Sequence, residues 1–192
     1  MSSVAPETNR RFFLSSSATT SLTAGLMVHG SLTAAEEQRE LRLGIVGCGG
    51  RGTGAVNDSL SVNSSVKVVA AADLYASKCA ALRKSLSARH EDKVSIPDTA
   101  VHGGLDGYKH VLDDPHVDIV LLATSPGFRP RMILEAIEAG KHVFAEKPVC
   151  VDPAGYRICL EAHAKAVEKG LAIVTGTQYR RQSNYIAAVE QI

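Results

Sequence analysis

The chain has 192 residues, of which 45% are hydrophobic and 21% charged, an ordinary soluble globular composition with room for one well-packed domain. Its 21 basic and 20 acidic residues nearly cancel to a net charge of +1, leaving no electrostatic footprint for nucleic acid or an anionic membrane. The four cysteines, Cys48, Cys79, Cys150 and Cys159, show neither C-x-x-C spacing nor the density of a disulfide scaffold, so no metal site is expected and they read as small buried or semi-buried residues.

Residues 1–35 differ from the rest. A polar start leads to Asn9-Arg10-Arg11-Phe12-Phe13-Leu14 and then to a Ser/Thr/Ala-rich stretch carrying Leu22, Leu26, Met27 and Val28. This resembles a bacterial twin-arginine signal, with Thr33-Ala34-Ala35 as the cleavage site. The segment is too weakly apolar for a membrane span, which needs about 20 predominantly apolar residues. The expectation is a periplasmic or otherwise exported mature form with no membrane attachment once the signal is removed. The alternative is a disordered tail with an accidental arginine pair.

From Leu41 short apolar runs alternate with amphipathic stretches, the pattern of a parallel sheet covered by helices. Strands are predicted at 41–46, 66–72, 100–102, 117–123, 142–145 and 171–175. The second is continuous and β-branched, as a strand buried on both faces should be. Helices are predicted from the glycine loop to about Val62, from Tyr75 to about His90, over 105–112 and 131–139, and from Pro153 to about Lys169. Gly140 and Gly170 stand where helices stop, while Asp152-Pro153 is an N-cap followed by a proline at the first helical position. The fold class is therefore α/β, a doubly wound, mostly parallel sheet over 36–176.

The first predicted strand runs into Gly47-Cys48-Gly49-Gly50-Arg51-Gly52, which opens the first helix. A G-x-G-x-x-G run alone is a weak signal, but here an acid, Asp73, ends the second strand 21 residues beyond the last glycine. Gly47 suits the tight turn, Gly49 a close backbone approach to a pyrophosphate, and Gly52 tight helix–strand packing; Gly50 and Arg51 complete the loop. The helix N-terminus offers N–H groups to phosphates. The Asp73 carboxylate suits the two ribose hydroxyls and repels a 2′-phosphate, so NAD is favoured, and Arg51 keeps NADP open.

The run Ala139-Gly140-Lys141-His142-Val143-Phe144-Ala145-Glu146-Lys147-Pro148, together with the upstream glycine loop, resembles the glucose-fructose oxidoreductase / inositol dehydrogenase / rhizopine catabolism (Gfo/Idh/MocA) family over about residues 41–192. The resemblance implies that Lys147 is catalytic, contacting substrate hydroxyls or the nicotinamide region, with Glu146 positioning it and Pro148 shaping the turn through a cis bond. It also implies cofactor-side contacts from Thr124 and Pro126. In the family a histidine commonly stands four residues past a Thr-Pro pair; this chain has Thr124-Ser125-Pro126-Gly127-Phe128-Arg129, so Arg129 stands there instead, either recognising an anionic substrate or solvated.

The family continues into an α+β substrate domain bearing an Asp/His pair, and residues 177–192 read as the start of a truncated version of it. None of His102, His110, His116, His142 and His163 obviously replaces the absent histidine, and the isolated chain is expected to expose surface and to be poorly soluble or oligomeric. A homo-oligomer is expected of a full-length form. The implied function is an NAD(P)-dependent oxidoreductase acting on a sugar- or polyol-like hydroxyl. Two alternatives stay open: an NAD-dependent glycosidase of the same superfamily, and a non-catalytic nucleotide-binding module or truncated gene product.

Overall fold

The computed structural model describes residues 39–192, so the twin-arginine-like segment lies outside the described residues. Six strands form one sheet: β1 (Leu41–Val46), β2 (Val66–Asp73), β3 (Val101–Gly103), β4 (Ile119–Leu122), β5 (His142–Ala145) and β6 (Ile173–Thr175). Their order is β3-β2-β1-β4-β5-β6 and every neighbouring pair is parallel. Helices α1 (Gly50–Val62), α2 (Ala76–Ser87), α3 (Gly107–Asp113), α4 (Arg129–Glu138) and α5 (Pro153–Lys169) connect the strands, and α6 (Ser183–Glu190) follows the last.

The chain crosses from edge strand β3 to β4 on the other side of β1, so the strand order reverses between β1 and β4. Loops leaving these two strands on their carboxyl side diverge and open a crevice, the usual ligand position of a doubly wound sheet. Burial follows the sheet's centre. Ile45, Val68, Val120, Leu122 and Val143 are fully enclosed between helix residues that include Val56, Leu60, Leu82, Leu86, Ile133 and Ile137. Each such side chain contributes about 1.5–3 kcal/mol.

Local chemistry sets most of the ends. At α5 the Asp152 carboxylate accepts the Gly155 N–H at 2.6 Å, Pro153 begins the helix, and Gly170 stops it with φ 65°. Helix α2 ends three residues before the predicted His90, because the N–H groups of Arg89 and His90 both turn back onto the Leu86 carbonyl. Strand β4 begins at Ile119 instead of Val117: Val117 N–H closes a turn onto Asp114, and Asp118 is drawn to Arg42, whose backbone N–H and guanidinium donate to it. That pair ties the amino ends of β1 and β4 at the opposite end of the sheet from the crevice. Beside it, the Lys141 ammonium donates to the carbonyls of Asp114 and Val117.

Candidate dinucleotide site

The glycine loop is shaped by two contacts that no side chain could survive. Gly47 has φ 96°, and a Cβ there would stand 2.7 Å from the Ala123 carbonyl carbon at the end of β4. A Cβ on Gly52 would stand 1.9 Å from the Gly47 carbonyl oxygen, so the first turn of α1 rests directly on the loop. No side chain caps α1 at Gly49, no acid occupies its first turn, and a Cβ at Gly49 or Gly50 would meet open space. A helix amino end left in this state presents N–H groups and a partial positive charge to an anion.

Asp73 closes the other side. Its Oδ2 accepts the Cys48 N–H at 2.8 Å and its Oδ1 accepts the Tyr75 N–H at 3.1 Å. The loop therefore aims the carboxylate, whose remaining lone pairs are available to hydroxyl donors. A cavity of about 730 Å³ runs past these groups, and Gly47, Gly49, Asp73 and Thr124 are in its wall. Exposed apolar side chains flank it, with Leu74, Tyr75 and Leu105 on one side and Phe128 on the other. Deeper in the wall the Tyr108 hydroxyl donates to Glu135 at 2.5 Å, and burial followed by that bond pushes the phenol up to about 12.

The second half of the site lies at the ends of β4 and β5. Glu146 is 4% exposed, and its Oε1 accepts from Arg51 Nη2 at 2.5 Å. The glutamate therefore serves the glycine loop and not Lys147, contrary to the expectation that it positions the lysine. Adjacent residues leaving a strand point to opposite sides, and only one of them can turn inward. The carboxylate also fills the space beside Gly176 just after β6, where a Cβ would come within 2.9 Å of its Oε2. Lys147 and Pro148 are exposed, joined by a cis peptide bond, and Pro126 is half-buried. Arg51, Pro126, Glu146, Lys147 and Pro148 lie outside the cavity wall proper.

Arg129 corrects the sequence reading most sharply. It is 5% exposed, so it is neither solvated nor open to an anionic substrate. Its Nη1 donates to the carbonyls of Glu146 at 2.8 Å and Pro148 at 2.6 Å, and its Nη2 donates to the Thr124 carbonyl. One guanidinium thus staples the β4 loop to the β5 loop. Burial lowers its pKa and the charge of Glu146 opposes that shift; an arginine nonetheless stays protonated. Pro130, near the first turn of α4, is the sequence signal that could have placed Arg129 inside the helix start and not in a free loop.

A family model described as an oxidoreductase family with an NAD-binding Rossmann fold matches residues 41–175. Among curated proteins, a glycosyl hydrolase family 109 protein of Bacteroides fragilis is 32% identical over 109 residues, 56% of this chain and 22% of its own length. An inositol 2-dehydrogenase of Acidothermus cellulolyticus is 31% identical over 124 residues, 65% of this chain and 33% of its own. A solved NAD-binding protein from Listeria innocua superposes with a TM-score of 0.55 at 28% identity, covering 74% of this chain and 36% of that one. The matched segments thus span between a fifth and about a third of the curated relatives' length. With its all-parallel sheet, its glycine loop at the switch point and Asp73 at the end of β2, the chain belongs to the Gfo/Idh/MocA oxidoreductase family and carries that family's NAD-binding Rossmann domain.

Proposed function

We propose that this chain is the dinucleotide-holding portion of an NAD(P)-dependent oxidoreductase that acts on a sugar- or polyol-like hydroxyl compound. The observation that carries the reading is the Asp73 carboxylate, aimed by the N–H groups of Cys48 and Tyr75 into a cavity that begins at the uncapped amino end of α1. In this reading the backbone of Gly49, Gly50, Arg51 and Gly52 holds the pyrophosphate, Asp73 holds the adenosine ribose, and Thr124, Pro126 and Pro148 border the nicotinamide end. Asp73 favours NAD over NADP, since a carboxylate repels a 2′-phosphate. A bound nicotinamide cofactor supplies hydride acceptance or donation. The Lys147 ammonium, exposed at the carboxyl end of β5, stabilises negative charge developing on the substrate oxygen. The Arg51–Glu146 pair and the Arg129 staple hold the loops on either side of it.

A second reading, a glycosidase that uses the same dinucleotide, is favoured by the glycosyl hydrolase family 109 proteins among the relatives. Both readings share the cofactor site. Calorimetric titration of the 192-residue chain with NAD+ and NADP+ tests it, the expected result being saturable binding with NAD+ preferred. Absence of binding to either nucleotide would overturn the site itself. A sugar or polyol screen then separates the readings: net NADH accumulation supports the dehydrogenase, and release of a chromogenic aglycone without it supports the glycosidase. For residues 1–35 the proposal is twin-arginine export, tested by fusing them to a folded reporter. Periplasmic reporter that disappears on Arg10→Lys/Arg11→Lys supports it, and retention of the wild-type fusion in the cytoplasm overturns it.

A further inference from the structure

Cys48 sits between the first two glycines of the phosphate loop, and Cys79 lies in the first turn of α2. Their sulfurs are 3.5 Å apart, and the two residues are 5% and 0% exposed. Each sulfur also donates to a backbone carbonyl, Cys48 Sγ to Ala72 at 3.4 Å and Cys79 Sγ to His102 at 3.7 Å, and the charges of Asp73 and Lys78 lie near enough to act on Cys48. The remaining cysteines, Cys150 just before α5 and Cys159 within it, are half-buried free thiols that share a hydrogen bond. The hydrogen bond between Cys48 and Cys79, with burial, pushes the Cys48 thiol up, while accepting that bond brings Cys79 down. Cys79 is therefore the readier thiolate and Cys48 the proton-bearing partner.

We propose that Cys48 and Cys79 form an oxidation site that closes to a disulfide with hydrogen peroxide as oxidant, and that closure takes the phosphate loop out of its dinucleotide-holding shape. The second half rests on the function proposed above. Neither cysteine lines the cavity, but Gly47 and Gly49, which flank Cys48, and Lys78, which precedes Cys79, do, so peroxide, little larger than water, has only to pass this wall to reach the pair. The Cys79 thiolate attacks one peroxide oxygen, the O–O bond breaks, hydroxide leaves and the sulfur becomes a sulfenic acid. The Cys48 thiol then attacks that sulfur, the S–S bond forms, the S–O bond breaks, and water leaves. Two thiols and one peroxide become one disulfide and two waters, the two sulfurs giving up two electrons to the peroxide.

Closure must bring the sulfurs from 3.5 Å to a bond of about 2.05 Å. Cys48 cannot shift alone. Its N–H holds Asp73, its neighbour Gly47 rests against Ala123, and Gly52 rests on Gly47. Drawing Cys48 toward α2 therefore disturbs the aim of the ribose-binding carboxylate and the packing of the loop together. A dinucleotide bound across the loop would cover the same wall and protect the pair.

The test treats the 192-residue chain with peroxide, blocks remaining thiols, and maps digested peptides by mass spectrometry, with NADH binding followed by fluorescence before and after. The expected result is a peptide pair joined through Cys48 and Cys79 and lacking two hydrogens. NADH affinity should fall at least about tenfold and return on treatment with dithiothreitol, and prior saturation with NAD+ should slow the cross-link. Cys79→Ala should keep its NADH affinity through the same treatment. Thiols at Cys48 and Cys79 that still titrate in denaturant after peroxide, or a cross-link confined to Cys150 and Cys159, would overturn the oxidation site. A cross-link that leaves NADH affinity unchanged would overturn the effect on the loop. Because the cross-link is read in the wild-type chain, it stands apart from whether Cys79→Ala folds. It also stands apart from the dinucleotide reading, which fails only if NADH does not bind the untreated protein.

Discussion

The two sides of the crevice are built by opposite means. On the β1–α1–β2 side the working surface is backbone: two glycines packed on carbonyls, an uncapped helix end, and an aspartate aimed by two N–H groups. On the β4–β5 side it is buried charge: Arg129 on three carbonyls and Glu146 on Arg51. At Gly47 and Gly52 the backbone construction tolerates no added atom, since the neighbouring carbonyl cannot move away. Charged construction tolerates changes of size but not loss of a partner, because each ion would leave desolvated groups behind. The Arg51–Glu146 pair joins the two, so movement on one side is felt on the other.

Adding or removing single groups breaks that contrast in a graded way. Gly52→Val should have the largest effect, since even its Cβ would lie 1.9 Å from the Gly47 oxygen. A loss of about 3 kcal/mol or more in urea unfolding, with dinucleotide binding abolished, is expected. Full stability in that variant would show the backbone side to be more pliable than its packing. Arg129→Met comes next. It keeps the volume but strands the carbonyls of Thr124, Glu146 and Pro148, and about 2–3 kcal/mol should be lost in the same measurement. Arg129→Lys should recover only part of it, as an ammonium lacks the planar fork that spans both loops.

Asp73→Asn sharpens the comparison by removing the charge and by putting an NH2 donor in place of one of the two oxygens that accept the Cys48 and Tyr75 N–H groups. NAD+ affinity should weaken by about 1.5 kcal/mol and the preference over NADP+ should shrink, measured calorimetrically. Equal weakening for both nucleotides would place the discrimination elsewhere. The smallest expected effect lies far from the crevice. Asp118 has its pKa lowered, chiefly by its hydrogen bond to Arg42, with burial working against the shift. A carboxyl depressed in the folded state contributes stability above its unfolded value near 3.9, and loses it as the pH falls through the lower folded value. Tm should therefore drop as the pH falls below about 4. Asp118→Asn should start lower at neutral pH and fall less steeply, and an unchanged acid slope would remove the Arg42 pair from the stability balance.

How far the chain's order shows through depends on whether a signal is local. Strands β1 and β5 and helix α5 have the ends read from the chain, because apolar runs, Asp152-Pro153 and Gly170 act within a few residues of themselves. The starts of α3, β4, α4 and β6 each lie two residues from those the pattern predicts; at β4 Asp118 answers to Arg42, 76 residues away, and at α4 Arg129 answers in part to the Glu146 and Pro148 carbonyls, reached only after β5 has formed.

From the sequence alone came the doubly wound α/β class, the glycine loop and Asp73, carried by spacing along the chain and by the steric freedom of glycine, and the family, carried by the resemblance of the run at 139–148. Only the folded molecule decided that Arg129 is a buried staple, that Glu146 belongs to Arg51 and not to Lys147, and that Cys48 faces Cys79. The physical reason is common to all three. Each side chain's role depends on at least one partner 17 to 95 residues away, and such partners meet only when parallel strands bring their carboxyl ends to one edge of the sheet.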